Sequence, residues 1–69
     1  MDIEWKDGFA ISVRVDHDAV VISANREGLL SLAGQMAALA NEVTGSHIHY
    51  DENNALETGS AELVVERVD

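Results

Sequence analysis

One stretch of helical periodicity, set between stretches of period two, constrains this chain most. Leu29, Leu32, Ala33, Met36, Ala40 and Val43 fall on one apolar stripe at helical spacing. Leu30, Ala37 and Leu39 widen it, and Ser31, Gln35, Ala38 and Glu42 hold the opposite side. Asn25 stands where an N-cap side chain accepts from an orphan backbone N–H. Glu27 follows in the first turn, at the positive end of the helix dipole. Gly45 is expected to close the helix as a left-handed C-cap. Gly28 has no propensity reason to sit in the first turn, so its presence points to close packing.

The flanking stretches alternate. Phe9, Ile11, Val13 and Val15 share one face of a strand, and Ala10, Ser12 and Arg14 share the other. Asp16-His17-Asp18 breaks the pattern, and Ala19 to Ser23 supplies the second arm of a hairpin. A short strand from Asp2 to Trp5 precedes them. Ser46 to Asp51 and Ala61 to Val68 complete the set, with Leu63 and Val65 facing one way and Glu62, Val64 and Glu66 the other. The order β-β-α-β-β defines an α+β fold: one amphipathic helix packed on one face of a four- to five-stranded, mainly antiparallel sheet. Residues 1–69 read as a single small domain without linker, repeat or low-complexity segment. A core of this size stabilises a chain by about 3–5 kcal/mol.

Charge narrows the partners. Thirteen acids stand against four bases, for a net charge of -9. Such a chain is repelled by nucleic acid and anionic membranes and attracted by basic protein. The stretch from Leu29 to Ala40 is too short and too interrupted to span a bilayer. Cysteine is absent, which removes disulfides and thiolate metal sites. Met1 leads straight into acidic, strand-like residues, so no export signal is expected and the location is expected to be cytoplasmic.

The richest chemistry lies in His47-Ile48-His49-Tyr50-Asp51. On a strand, His47, His49 and Asp51 share one face, and Ile48 and Tyr50 the other. Because one helix covers one sheet face, the opposite face stays open. It would carry Ser12, Arg14, Val21, His47, His49, Asp51, Glu62 and Glu66. An uncovered antiparallel face is polar by default. A sharper reading is metal: His47 and His49, ~7 Å apart at Cα, could reach one ion, but a third donor is needed. Catalysis by a histidine general base is a further option. Against it, the chain has no glycine-rich phosphate loop, no nucleophile elbow and no second domain to enclose a pocket of ~300 Å³. The favoured reading is a partner-binding surface of His47, His49, Asp51, Glu62, Glu66 and Arg14, with no catalytic residue and no cofactor. The alternative is a small His-based or metal-binding enzyme or sensor, dimeric, with His47 and His49 as its ligands. A plain homodimer also suits a chain this small.

Three segments resemble a known family. They are Ser23-Ala24-Asn25-Arg26-Glu27-Gly28-Leu29-Leu30-Ser31-Leu32-Ala33, Ser46-His47-Ile48-His49-Tyr50-Asp51 and Leu56-Glu57-Thr58-Gly59-Ser60-Ala61-Glu62-Leu63-Val64-Val65-Glu66. In order and spacing they are similar to the immunity protein 32 family of bacterial polymorphic toxin systems. The resemblance runs from about Ser23 onward and before it extends only to strand character. It implies a cytosolic protein that binds and neutralises a cognate toxin domain, of which many are basic nucleases. Under that resemblance, His47, His49, Asp51, Glu62 and Glu66 are the exposed family-like positions. Glu27, Gly28, Leu29, Leu32, Ala33, Leu56, Gly59 and Ser60 are structural ones.

Overall fold

The hairpin forms as the alternation dictates. In the computed structural model, which describes residues 1–69, β1 (Ile11–Asp16) pairs antiparallel with β2 (Ala19–Ala24). Ile11 lies opposite Ala24 and Asp16 opposite Ala19, so only His17 and Asp18 make the turn. His17 holds a positive φ of 56°, at a turn position that favours glycine. Ile11 and Val13 are buried, but Val15 on the same face is 63% exposed. The hairpin tip therefore projects past the core.

Asn25 caps α1 (Arg26–Leu39) as expected. Its Oδ1 accepts from the Gly28 N–H at 2.8 Å and from the Ala10 N–H at 3.0 Å, and its Nδ2 donates to the Gly8 carbonyl at 2.9 Å. One side chain thus fixes both the helix start and the loop that leads into β1. A Cβ on Gly28 would lie 2.8 Å from both the Ala10 carbonyl oxygen and Ile11 Cγ1. The first helical turn crosses the hairpin at backbone contact, which explains a glycine that propensity disfavours.

The buried helix face differs from the expected apolar stripe. Leu32 and Met36 of that stripe pack against the core, but the fully buried residues of α1 are Gly28, Ser31, Gln35 and Leu39, while Leu29 is 56% and Val43 76% exposed. The reason lies in the N-terminal segment. Asp2 to Trp5 forms no strand; it runs as an arm whose backbone is bonded by helix side chains. Gln35 Nε2 donates to the Glu4 carbonyl at 2.8 Å, and the Lys6 N–H donates to Ser31 Oγ at 2.8 Å. Ser31 Oγ in turn donates to the Glu27 carbonyl, and the Tyr50 hydroxyl donates to Gln35 Oε1 at 2.7 Å. Every buried side-chain polar atom has a partner, so the polar pair at i and i+4 binds the arm at little desolvation cost. Trp5 stacks on Phe9 with ring centroids 4.4 Å apart and meets Tyr50 edge-on at 6.1 Å.

Gly45 does not end the helix. Regular helix stops at Leu39 with Ala40 as C-cap, and the N–H groups of Asn41 and Glu42 close tighter turns onto Ala38 and Leu39. Gly45, at φ 94°, instead turns its N–H toward the Arg67 carbonyl, 2.8 Å away. That contact opens the second strand pair. There β3 (His47–Tyr50) and β4 (Leu63–Glu66) run antiparallel, with Ile48 opposite Val65 and Tyr50 opposite Leu63.

The single sheet expected from the element order is two two-stranded sheets. Between β1 and β4 lies the segment Glu57–Ala61, whose left-handed Gly59 at φ 89° keeps it from running straight. It touches β1 at isolated points only. The Glu57 N–H donates to the Ile11 carbonyl, the Ala61 N–H to the Val13 carbonyl, and Ser60 Oγ accepts from the Val13 N–H. These bonds stitch the sheets side by side without a continuous ladder. The core forms where the inner faces meet: Ile11, Val13, Leu39, Ile48, Tyr50 and Leu56. No helix is long and apolar enough to cross a membrane.

Candidate functional site

The exposed face of β3–β4 gathers most of the residues singled out from the sequence. Ile48 and Tyr50 point inward and are buried, so His47 and His49 must point outward, and both are exposed. On β4, Leu63 and Val65 face in and Val64 and Glu66 face out. The register sets His47 opposite Glu66 and His49 opposite Val64. The Arg67 N–H bonds the Ser46 carbonyl, so the alternation of the ladder makes these two the closer, non-hydrogen-bonded pairs. Glu62 stands one residue before β4 and is exposed.

The imidazoles of His47 and His49 meet edge to face with centroids 4.8 Å apart. His47 Nδ1 lies 3.3 Å from the Gly45 carbonyl. A carbonyl only accepts, so in that contact the imidazole Nδ1 is the donor. The pair could both approach one ion, but no group of three His, Cys, Asp or Glu residues stands close enough to complete a metal site. What the face offers is two imidazoles, carboxylates at Glu62 and Glu66, and an apolar centre at Val64, 47% exposed.

Two residues of the expected surface lie elsewhere. Asp51 follows the end of β3 and is half-buried. Its Oδ1 accepts from the N–H groups of Asn53 and Asn54, while Asn54 Oδ1 accepts from the Asp51 N–H. It is committed to an Asx turn instead of extending the histidine row. Arg14 belongs to the other sheet, beside Ser12 and opposite Val21, where its Nη1 donates to Ser23 Oγ at 3.0 Å. The continuous open face is therefore divided along the boundary between the sheets.

The largest concavity was not anticipated. A groove of about 720 Å³ runs between the N-terminal arm and α1, lined by Asp2, Glu4, Lys6, Gly34, Ala38 and Glu42 among others. It exists because the arm lies along the helix. The only sequence signal for it was the polar pair Ser31 and Gln35 inside an apolar helix.

Burial raises the Tyr50 hydroxyl above its ordinary 10.0, because the charged phenolate would lose its solvation there. It serves the core through Gln35 and faces away from the histidines.

Comparison with known proteins agrees with the sequence resemblance. The family described as Immunity protein 32 matches residues 19–68, a span that starts at β2 and takes in α1, β3 and β4. No curated protein and no solved structure matches the chain. The match covers well over half of the sequence and includes the whole histidine face, and by it the chain belongs to the Immunity protein 32 family.

Proposed function

We propose that this protein binds a cognate toxin domain in the cytoplasm and neutralises it by occlusion, without turnover. Membership of an immunity family supports the class of partner. The observation that carries the binding surface is the outward face of β3–β4. It presents Glu62 and Glu66, the imidazoles of His47 and His49, and an apolar centre at Val64, on a chain of net charge -9. A basic toxin domain, such as a nuclease, is steered to such a face and associates fast at low salt. The polar rim around Val64 suits an interface that buries about 800 Å² per partner.

The test uses the toxin domain encoded beside this chain. The complex is expected at one to one, with an association rate that falls as salt rises. The double change Glu62→Lys and Glu66→Lys is expected to slow association about tenfold or more at low salt, with less effect on dissociation. Unchanged association and dissociation would remove this face from the interface.

A further inference from the structure

The strand β2 has one bonded edge and one bare edge. A two-residue turn makes Asp16 and Ala19 a hydrogen-bonded pair, so the ladder alternates from there. The backbone groups of Val21 and Ser23 point toward β1, and those of Val20 and Ile22 point away. The same alternation turns Ile11 and Val13 away from β2, where they bond Glu57, Ser60 and Ala61. β1 is thus occupied on both sides. Val20 and Ile22 make no backbone bond outside the ladder.

The other strands are poorer templates. β3 and β4 have four residues each, the His49 carbonyl accepts from Asn54 Nδ2, and β4 carries Glu66. β2 has six residues, Ala-Val-Val-Ile-Ser-Ala, with no charge and no proline. Soluble proteins ordinarily shield an edge of that kind. Beside it Val15, Val20 and Ile22 are 63%, 61% and 43% exposed on a single face of the hairpin. Asp16 and Asp18 flank its tip, and neither β2 nor the turn carries a lysine or arginine.

We propose that the bare edge of β2 receives an extended strand of the cationic toxin domain, which becomes the third strand of the β1–β2 sheet. This inference rests on the toxin-binding function proposed above and specifies how part of the contact is made. Main-chain bonds to Val20 and Ile22 supply affinity, as in other strand additions. Alternate apolar side chains of the incoming strand cover Val20 and Ile22, and its basic residues meet Asp16 and Asp18. Charge selects this occupant over a second copy of the chain, which would bring another net -9 and another Asp16–Asp18 pair to the same edge.

The test is amide hydrogen exchange by NMR on the intact protein, free and with the toxin domain encoded beside it. In the free protein the Val20 and Ile22 amides exchange fast; in the complex they are expected to slow about a hundredfold or more. Val20→Glu is expected to weaken the complex about tenfold or more. It makes the chain more acidic, so the loss cannot come from weakened attraction to a basic partner. A complex that protects β3–β4 while Val20 and Ile22 stay fast overturns the edge inference and leaves the toxin-binding function standing. Protection of Val20 and Ile22 that appears without partner and grows with protein concentration overturns it in favour of a second copy. Failure of the two proteins to associate overturns it together with the function on which it rests.

Discussion

Replacing Gln35 by leucine tests the least expected feature of the fold, a polar seam under the helix. By helical periodicity alone the change should be close to neutral, since Gln35 stands on the side opposite the apolar stripe. The structure makes it costly. Gln35 is 2% exposed and Tyr50 1% exposed, so no water can replace the Gln35 Oε1 that accepts from the Tyr50 hydroxyl. A buried hydroxyl without a partner costs about 1–3 kcal/mol. The Glu4 carbonyl also loses its donor, but it sits on an exposed residue and recovers part of the loss from solvent. The extra apolar burial of leucine offsets up to about 1 kcal/mol. A net destabilisation of about 2 kcal/mol follows, which in a chain of this size lowers Tm by roughly 8–16 °C. Urea unfolding followed by Trp5 fluorescence reads it directly, because Trp5 is the only tryptophan and packs against Tyr50. Adding Tyr50→Phe to the Gln35→Leu background should cost little, giving a coupling of about 1–2 kcal/mol in the double-mutant cycle. Leu29→Ala serves as the contrast. Leu29 is 56% exposed, so its truncation should cost under about 1 kcal/mol. If Leu29→Ala destabilises more than Gln35→Leu, the buried helix face has been assigned to the wrong side and the reasoning fails.

Further expectations concern four single positions. Burial holds the Tyr50 proton more tightly in the folded state, so above pH 10.0 the unfolded chain ionises first. Stability is then complete below that value and falls as pH rises toward the folded one. Tyr50 is the only tyrosine, so Tyr50→Phe should remove that fall from an alkaline series of urea midpoints. Gly28→Ala places a Cβ 2.8 Å from a backbone oxygen, and about 1–3 kcal/mol of overpacking should outweigh the helix propensity gained. Gly34→Ala meets nothing within 4 Å and should stabilise by up to about 1 kcal/mol, so the two alanines are expected to move the midpoint in opposite directions. His17→Gly relieves the positive φ at the hairpin turn and should stabilise by about 1 kcal/mol; a loss of stability would mean that the imidazole makes a contact the fold depends on.

Local rules determined the elements of this protein. Alternation in Ile11–Val15 and in His47–Tyr50, the Asn25 cap and the polar breaks were enough to place two strands, a helix and two more strands in order. They also set His47 and His49 outward and Ile48 and Tyr50 inward, because a strand has only two faces. The tight packing at Gly28 was legible too, since a glycine in a first helical turn needs a steric reason.

What joins those elements was decided by the tertiary structure. Which side of α1 is buried depended on the arm at Glu4–Lys6, whose backbone makes Ser31 and Gln35 better inward residues than Leu29. Periodicity counts apolar side chains and has no knowledge of a polar group satisfied by a segment some thirty residues away. The same limit divided the sheet in two. A left-handed Gly59 and a serine hydroxyl in place of a backbone acceptor are local events, but their effect on the ladder exists only once β1 lies beside them. It also moved Asp51 into a turn and Arg14 onto the other sheet. Pattern specifies which residues share a face, whereas the faces that adjoin are chosen by hydrogen bonds between distant segments.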